Sequence, residues 1–379
     1  MPDPNLDVMI NELSVWVRTE SPTHAPEAIN RMMDLVAAEA AAAAIACERL
    51  EGKQGLGDTV ILRAGPPSGR PGVLVLSHLD TVHPLGTIES DLRLRREGDR
   101  LYGPGVYDMK GGAYLALQAL KEIAARGSAA LPLVCLFTPD EEIGSPTTRT
   151  LIEDLGRRSA YTLVMEPARD GGKIVTSRKG VGRFDVEVEG RPAHAGSRPE
   201  DGRSAIREAA RQILAIEAMT DYGRGITTTV GTVSGGTAVN VTPQHCRFSV
   251  DLRVATAADG DAYGAAILNL APHDPDVRVT VSGGMNRPTY ERSEGTARLF
   301  EHARGLAAEL GFDLQDVPRV GGGSDGNFTA AIGVPTLDGL GIDGAGAHTH
   351  HEYALVSSIV PRMRLMARLL ETLDLVVSR

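Results

Sequence analysis

With 379 residues, 42% of them apolar and 23% charged, the chain is long enough for two domains, or one large one, around a substantial core. A formal net charge of −10 excludes the electrostatic footprint of a nucleic-acid binder. Three widely separated cysteines, Cys47, Cys135 and Cys246, exclude a disulfide framework and a CxxC metal site, and fit a reducing cytoplasm.

The N-terminal stretch has no basic segment followed by an apolar one, and no apolar run approaches 18 residues, so neither a signal peptide nor a membrane partner is expected. Helical spacing predicts helices over 5–19 and 25–50, the second containing the Ala-rich 37-AAEAAAAAIAC-47. Strands are expected at 58–64, 72–78, 131–138 and 160–166, and helices at 109–126 and 146–155. Near-continuous apolar strands between helices indicate a sheet covered on both faces, hence an α/β fold. The texture changes near Lys179. A period-two strand over 180–190 precedes a helix (201–219), strands (225–233, 243–254), a helix (259–271) and a strand (277–283). This β-α-β-β-α-β order is the ferredoxin-like pattern. The α/β texture then returns with a helix (294–310), two short strands (313–320, 332–338) and a closing helix (355–377). The expected organisation is a discontinuous domain, 1–178 and 287–379, interrupted by an α+β domain over 179–286.

Five stretches place acids or histidines at loops or strand ends. In 77-SHLDTVHP-84, alternate residues of an extended chain face one way, so His78 and Asp80 can converge, one on a metal and one behind it. A loop histidine with an ordinary hydrogen bond is the plainer alternative. In 103-GPGVYDMKGG-112, Asp108 stands just before a helix, where an acid is often only an N-cap. In 138-TPDEEIGS-145, Glu141 and Glu142 follow a buried strand directly, at the end where open α/β sheets bind ligands; solvated loop charge is the competing reading. In 163-LVMEP-167, Glu166 precedes a proline that favours extended backbone. In 346-GAHTHHEY-353, three histidines follow a Gly-rich loop, a pattern that adventitious metal binding also produces. One shared site explains all five more simply than five coincidences. Imidazoles and carboxylates without thiolate suit zinc, cobalt or manganese. Two imidazoles and three or more carboxylates exceed what one zinc needs, and suit two ions about 3.5–4 Å apart. Such a pair would also offset the repulsion among Asp140, Glu141 and Glu142.

These five stretches, in this order, resemble the di-zinc aminoacylase/carboxypeptidase family of metallopeptidases. The nearest branch looks like the folate-hydrolysing glutamate carboxypeptidases, with acetylornithine deacetylase, succinyl-diaminopimelate desuccinylase and peptidase T as relatives. The resemblance implies a zinc-peptidase-like catalytic domain with a central mixed sheet flanked by helices, and an inserted ferredoxin-like domain for dimerisation or as a lid. It implies two Zn2+ per subunit, with Co2+ or Mn2+ as substitutes. His78 and Glu166 resemble ligands of one zinc each, Asp108 the bridge, and Glu142 the ligand completing one set. Glu141 resembles the general base, and Asp80 the acid behind His78. The C-terminal ligand by this resemblance is His348, preceded by Gly-Ala and followed four residues later by Glu352, with His351 as its rival.

In the inserted domain, 190-GRPAHAGSRPEDGRSA-205 resembles the segment whose histidine, here His194, reaches the scissile carbonyl across a dimer. Asn240 resembles a substrate-contacting position and Arg253 the arginine that binds a substrate carboxylate. The turn 321-GGGSDGNF-328, with Gly323, resembles one lying near that carboxylate. The implied activity is hydrolysis of an N-acyl amino acid or a C-terminal residue, with a small or short-peptide substrate that carries a free carboxylate. An acidic residue is the expected product, with acetylornithine-type deacylation as the alternative. Arg198, Arg287 and Lys179 are candidates for selecting an acidic side chain. A homodimer without nucleic-acid or membrane partners is expected. A dinucleotide-binding reading of 321-GGGSDG-326 fails for want of a surrounding βαβ unit. A metal-binding relative without activity is the reading from another class.

Overall fold

The computed structural model describes residues 5–67 and 69–374; the expected chain ends at 1–4 and 375–379 lie outside the described residues. The chain divides into two compact units. One comprises the chain up to Ser177, Arg292–Val320 and everything from Ser324 on. The other comprises Arg178–Glu291 and Gly321–Gly323.

The larger unit is built on a six-stranded mixed sheet. Its strands run in the order Ala46–Leu50, Thr59–Ala64, Leu133–Thr138, Gly72–His78, Ser159–Val164 and Thr336–Leu337. The last four are parallel to one another, and Thr59–Ala64 runs antiparallel to both its neighbours, Ala46–Leu50 and Leu133–Thr138. Gly72–His78 is buried along its whole length. Its alternation divides the core: Val73 and Val75 join the cluster formed with helices Leu6–Arg18, Pro26–Ala42, Gly111–Arg126, Glu294–Glu309 and Val356–Thr372. Leu74 and Leu76 pack on the opposite face with Ile152, Leu155 and Phe328. Successive strand residues face opposite ways, so a strand apolar at every position must be covered on both sides. A small second sheet, Gly344–Ala345, Tyr353–Leu355, Arg100–Tyr102 and Arg95–Glu97, was not legible in the sequence.

The helix expected over 25–50 stops at Ala42. Ala44 turns left-handed at φ 55°, Ile45 enters the core, and Ala46–Leu50 pairs antiparallel with Thr59–Arg63. Alanine's helix preference is only a fraction of a kcal/mol per residue, and an open sheet edge overrides it. The short strands expected at 313–320 and 332–338 shrink to Asp316–Val317, paired with Ile174–Val175, and Thr336–Leu337. The closing helix ends at Thr372.

The smaller unit follows the β-α-β-β-α-β order. Its antiparallel sheet runs Thr227–Gly235, His245–Val254, Gly180–Glu189, Arg278–Arg287. Phe184, Val186 and Val188 point to the core shared with helices Ala205–Glu217 and Ala257–Leu268, while Arg183, Asp185 and Glu187 point outward. Among the described residues no helix is long and apolar enough to cross a membrane.

Candidate metal centre

Three adjacent parallel strands bring their carboxyl ends together, and each delivers an acid or an imidazole there. His78 ends Gly72–His78, Glu141 and Glu142 follow Leu133–Thr138, and Glu166 follows Ser159–Val164. Asp108 comes from the loop ahead of the Gly111–Arg126 helix, where the Asp108–Met109 peptide is cis. His348 comes from the loop between Gly344–Ala345 and Tyr353–Leu355. Two glycines let the backbone close around Glu166. A Cβ on Gly112 would sit 1.9 Å from the Met165 carbonyl oxygen, and one on Gly341 would sit 2.8 Å from that of Glu166.

The arrangement centres on Asp108. Its Oδ1 is 3.3 Å from His78 Nε2, which is itself 3.5 Å from Glu166 Oε1. Its Oδ2 is 3.5 Å from His348 Nε2, which is 3.1 Å from Glu142 Oε2. One carboxylate therefore faces two imidazole–carboxylate pairs, one through each oxygen. The donor atoms of His78, Asp108 and Glu142 lie within 4.8 Å of one another, as do those of His78, Glu141 and Glu166. Glu141 is thus one more carboxylate within the same reach. Among the described residues His351 makes one hydrogen bond, from its backbone N–H to Thr349 Oγ1, and the His350 ring stands 6.3 Å from that of His83.

Supporting acids hold these groups. Asp80 is fully buried and accepts the Thr23 hydroxyl at 2.9 Å and the backbone N–H groups of Glu141 and Glu142 at 3.2 and 3.1 Å. His78 Nδ1 lies 3.0 Å from the Asp80 carbonyl and 3.4 Å from its carboxylate, which turns Nε2 toward Asp108 and Glu166. Asp140 is not part of the cluster. It accepts the side chains of Thr147 and Thr148 and so closes the turn after Glu142. In the sequence Glu352 is marked only by its spacing from His348, yet it is buried and accepts the Asp108 N–H at 2.9 Å. The His348-to-Glu352 spacing was the one signal for it.

The groups of the cluster shift one another's proton affinity. Burial alone would lower the His78 imidazole, but hydrogen bonds to Asp108, Asp80 and Glu166 raise it well above its ordinary value. Hydrogen bonds to Asp108 and Glu142 raise His348 to about 10. Burial pushes the Glu142 carboxyl up to about 7 against the His348 bond, while Asp108, also buried, is held far below the usual range by His348 and His78. Glu142 Oε1 is buried and has no hydrogen-bond partner among the described residues. A buried carboxylate oxygen without a donor is costly unless a cation meets it. The orphaned oxygen and the mixed imidazole–carboxylate donor set both fit divalent metal.

In the smaller unit, His194 Nδ1 accepts the N–H groups of Gly196 and Ser197 at 3.1 and 3.2 Å, and the Asn240 carbonyl accepts from Ala195 at 3.0 Å. Arg253 holds Asp251 through Nε and Nη2 at 2.7 and 2.8 Å, and its Nη1 lies 3.3 Å from the Gly321 carbonyl. Gly323 abuts the stem of the buried Arg287. Arg198 is paired with Asp201 at 2.6 Å.

Residues 74–372 match the model of peptidase family M20/M25/M40. The chain belongs to that family. It is therefore a hydrolase of peptide or amide bonds from a metal-dependent family. This peptidase is 32% identical over 324 residues to carboxypeptidase G2 of Pseudomonas sp. (strain RS-16), covering 83% of its own length and 77% of the relative's. It is 34% identical over 205 residues to acetylornithine deacetylase of Myxococcus xanthus, 51% of this chain and 52% of that one. Among solved structures, the aminopeptidase PepT of Bacillus cereus superposes with TM-score 0.75 at 21% identity, covering 97% of this chain and 98% of the other. The metallo-carboxypeptidase Sso-CP2 of Sulfolobus solfataricus gives 0.74 at 16% identity, with the same coverage. At such identities the two structures establish the fold alone.

Proposed function

We propose that this peptidase is a di-metal carboxypeptidase that releases a C-terminal, acidic amino acid, or the amino acid of an N-acyl conjugate. The observation that carries the reading is Asp108, whose two oxygens face His78–Glu166 and His348–Glu142 respectively. In this reading His78, Glu166 and Asp108 would hold one ion and His348, Glu142 and Asp108 the other. Bound there, a pair of zinc ions, with cobalt or manganese as substitutes, would supply a Lewis acid and a water of lowered pKa.

The chain's own groups do the rest. Glu141, beyond the five proposed ligands, takes a proton from the attacking water and returns it to the leaving amine nitrogen as the C–N bond breaks. Asp80 orients His78 and the Glu141–Glu142 turn. His194 accepts two N–H groups at Nδ1, so its neutral ring carries the proton on Nε2, ready to donate to the oxyanion. Arg253 recognises the substrate carboxylate with Asn240 and the Gly323 turn. Its guanidinium is already fork-bonded to Asp251, which pre-orients it.

We assign a homodimer in which His194 acts on the site of the other copy. The edge strand Thr227–Gly235 and the neighbouring helix Ala205–Glu217 support that surface, because Val233, Ile206 and Leu214 are exposed there. Three unpaired cysteines support a cytoplasmic location. The similarity to an acetylornithine deacetylase favours deacylation as a second reading. The deciding experiment loads the protein with Zn2+ or Co2+ and measures amine release from folate-type glutamyl conjugates, other N-acyl acidic amino acids and N-acetylornithine. Turnover of the acidic substrates is expected. Preference for N-acetylornithine selects the second reading, and full activity after exhaustive chelation removes the metal mechanism.

A further inference from the structure

Glu352 is 1% exposed, and its carboxylate is fully occupied. Oε1 accepts the N–H groups of Tyr107 and Asp108, both at 2.9 Å. Oε2 accepts the Gly105 N–H at 2.9 Å and lies 2.8 Å from His83 Nε2. Gly105 turns left-handed at φ 71°, which folds three N–H groups of one short loop toward a common point, an anion-binding concavity that Glu352 fills. Glu352 stands four residues after His348. The intervening turn is closed by bonds from Thr349 N to the Gly346 carbonyl at 3.0 Å and from Glu352 N to the Thr349 carbonyl at 3.3 Å. The anchor is therefore short and stiff on both sides.

We propose that Glu352 is a positioning residue for the second ion. It clamps the His348 loop to the Asp108 loop and so sets how far His348 Nε2 stands from Asp108 Oδ2, 3.5 Å here. The inference rests on the di-metal reading above. It also carries an asymmetry. His78 is oriented by Asp80, and the backbone at Glu166 is enclosed by Gly112 and Gly341, so in the first set only the shared Asp108 leans on Glu352. The second set leans on it twice, through Asp108 and through the loop of His348, whose side chain is 53% exposed with Glu142 at 3.1 Å and Asp108 at 3.5 Å beside it.

The test titrates Co2+ into the metal-free wild type and the Glu352→Gln variant, read by calorimetry and by visible absorption of the bound cobalt. Glutamine keeps the volume but cannot accept hydrogen bonds at both ends, so one N–H of the loop loses its partner. The wild type is expected to bind two ions. E352Q is expected to bind one with near-native affinity and the second about 10–100-fold more weakly, with a matching fall in kcat and little change in KM. Trp16, the sole tryptophan and fully buried in the same unit, reports by its fluorescence whether the variant folds. If E352Q does not fold, Glu352→Asp keeps the charge but is one methylene short, and weakening of one ion alone is again expected. A variant that binds both ions as the wild type does, or loses both equally, overturns the role of Glu352 and leaves the di-metal reading standing. A wild type that binds no Co2+ overturns the di-metal reading itself.

Discussion

The Asp80 carboxylate accepts the backbone N–H of Glu142 at 3.1 Å, across 62 positions of sequence. Its other oxygen takes the neighbouring N–H of Glu141 at 3.2 Å. Adjacent residues of an extended chain point to opposite sides, so two consecutive glutamates reach one site only if the backbone turns. Asp80 closes that turn, Glu141–Ile143, from the next strand while it orients His78. One buried acid therefore positions an imidazole and two carboxylates together.

The two glutamates then separate by role. Glu141→Gln is expected to retain both ions and lose about 10²–10⁴ in kcat. Glu142→Gln is expected to lose about one equivalent of metal, because Glu142 Oε2 lies 3.1 Å from His348 in the second set. Metal content by elemental analysis, set beside single-turnover rates, separates the two. The reverse pattern would exchange their assignments.

Arg253→Lys is expected to raise KM by about tenfold or more with a smaller effect on kcat, since an ammonium cannot reproduce a fork-shaped contact with a carboxylate. Asp251→Asn should show the same trend more weakly, through loss of the fork at 2.7 and 2.8 Å that orients the guanidinium. Unchanged steady-state constants for R253K would remove Arg253 from substrate binding.

His194→Asn is expected to lower kcat by about 10²–10³, the typical loss of one oxyanion donor, with both ions still bound. If His194 acts across a dimer, an inactive E141Q chain and an inactive H194N chain should regain part of the activity on mixing. Sedimentation that finds a monomer with full turnover would remove the dimer and the reach across it.

A pH dependence is also expected in the smaller unit. Glu208 is buried, yet its carboxyl sits below its ordinary value, because bonds from the His273 N–H, Gln212 and the His273 ring outweigh the cost of burial. A depressed folded pKa stabilises the native state above the unfolded value of about 4.3, and that contribution is lost as pH falls toward the folded value. Glu208→Gln should therefore destabilise by about 1–3 kcal/mol at pH 7 and progressively less below about pH 4. Urea unfolding of both proteins across this range is the measurement. A gap that does not change with pH would sink the argument.

The sequence by itself determined the layering and which polar residues stand at the strand ends. A run such as 72-GVLVLSH-78 must be covered on both faces, and the first polar residues after each such run mark the mouth of the sheet. His78, Glu141, Glu142 and Glu166 were legible for that reason, and the inserted unit for its change of period. The residues of Ala46–Leu50 were not, because their state depends on a partner strand, Thr59–Ala64, that no local preference records. Which acids face the imidazoles and which brace the loops was also beyond local pattern. Glu352 and Asp108 are 244 residues apart and meet through a backbone N–H, a group that every sequence position except proline carries equally. Only the tertiary structure decided that meeting, because a hydrogen bond between distant residues is chosen by how the loops pack, and not by the identity of the residue that donates.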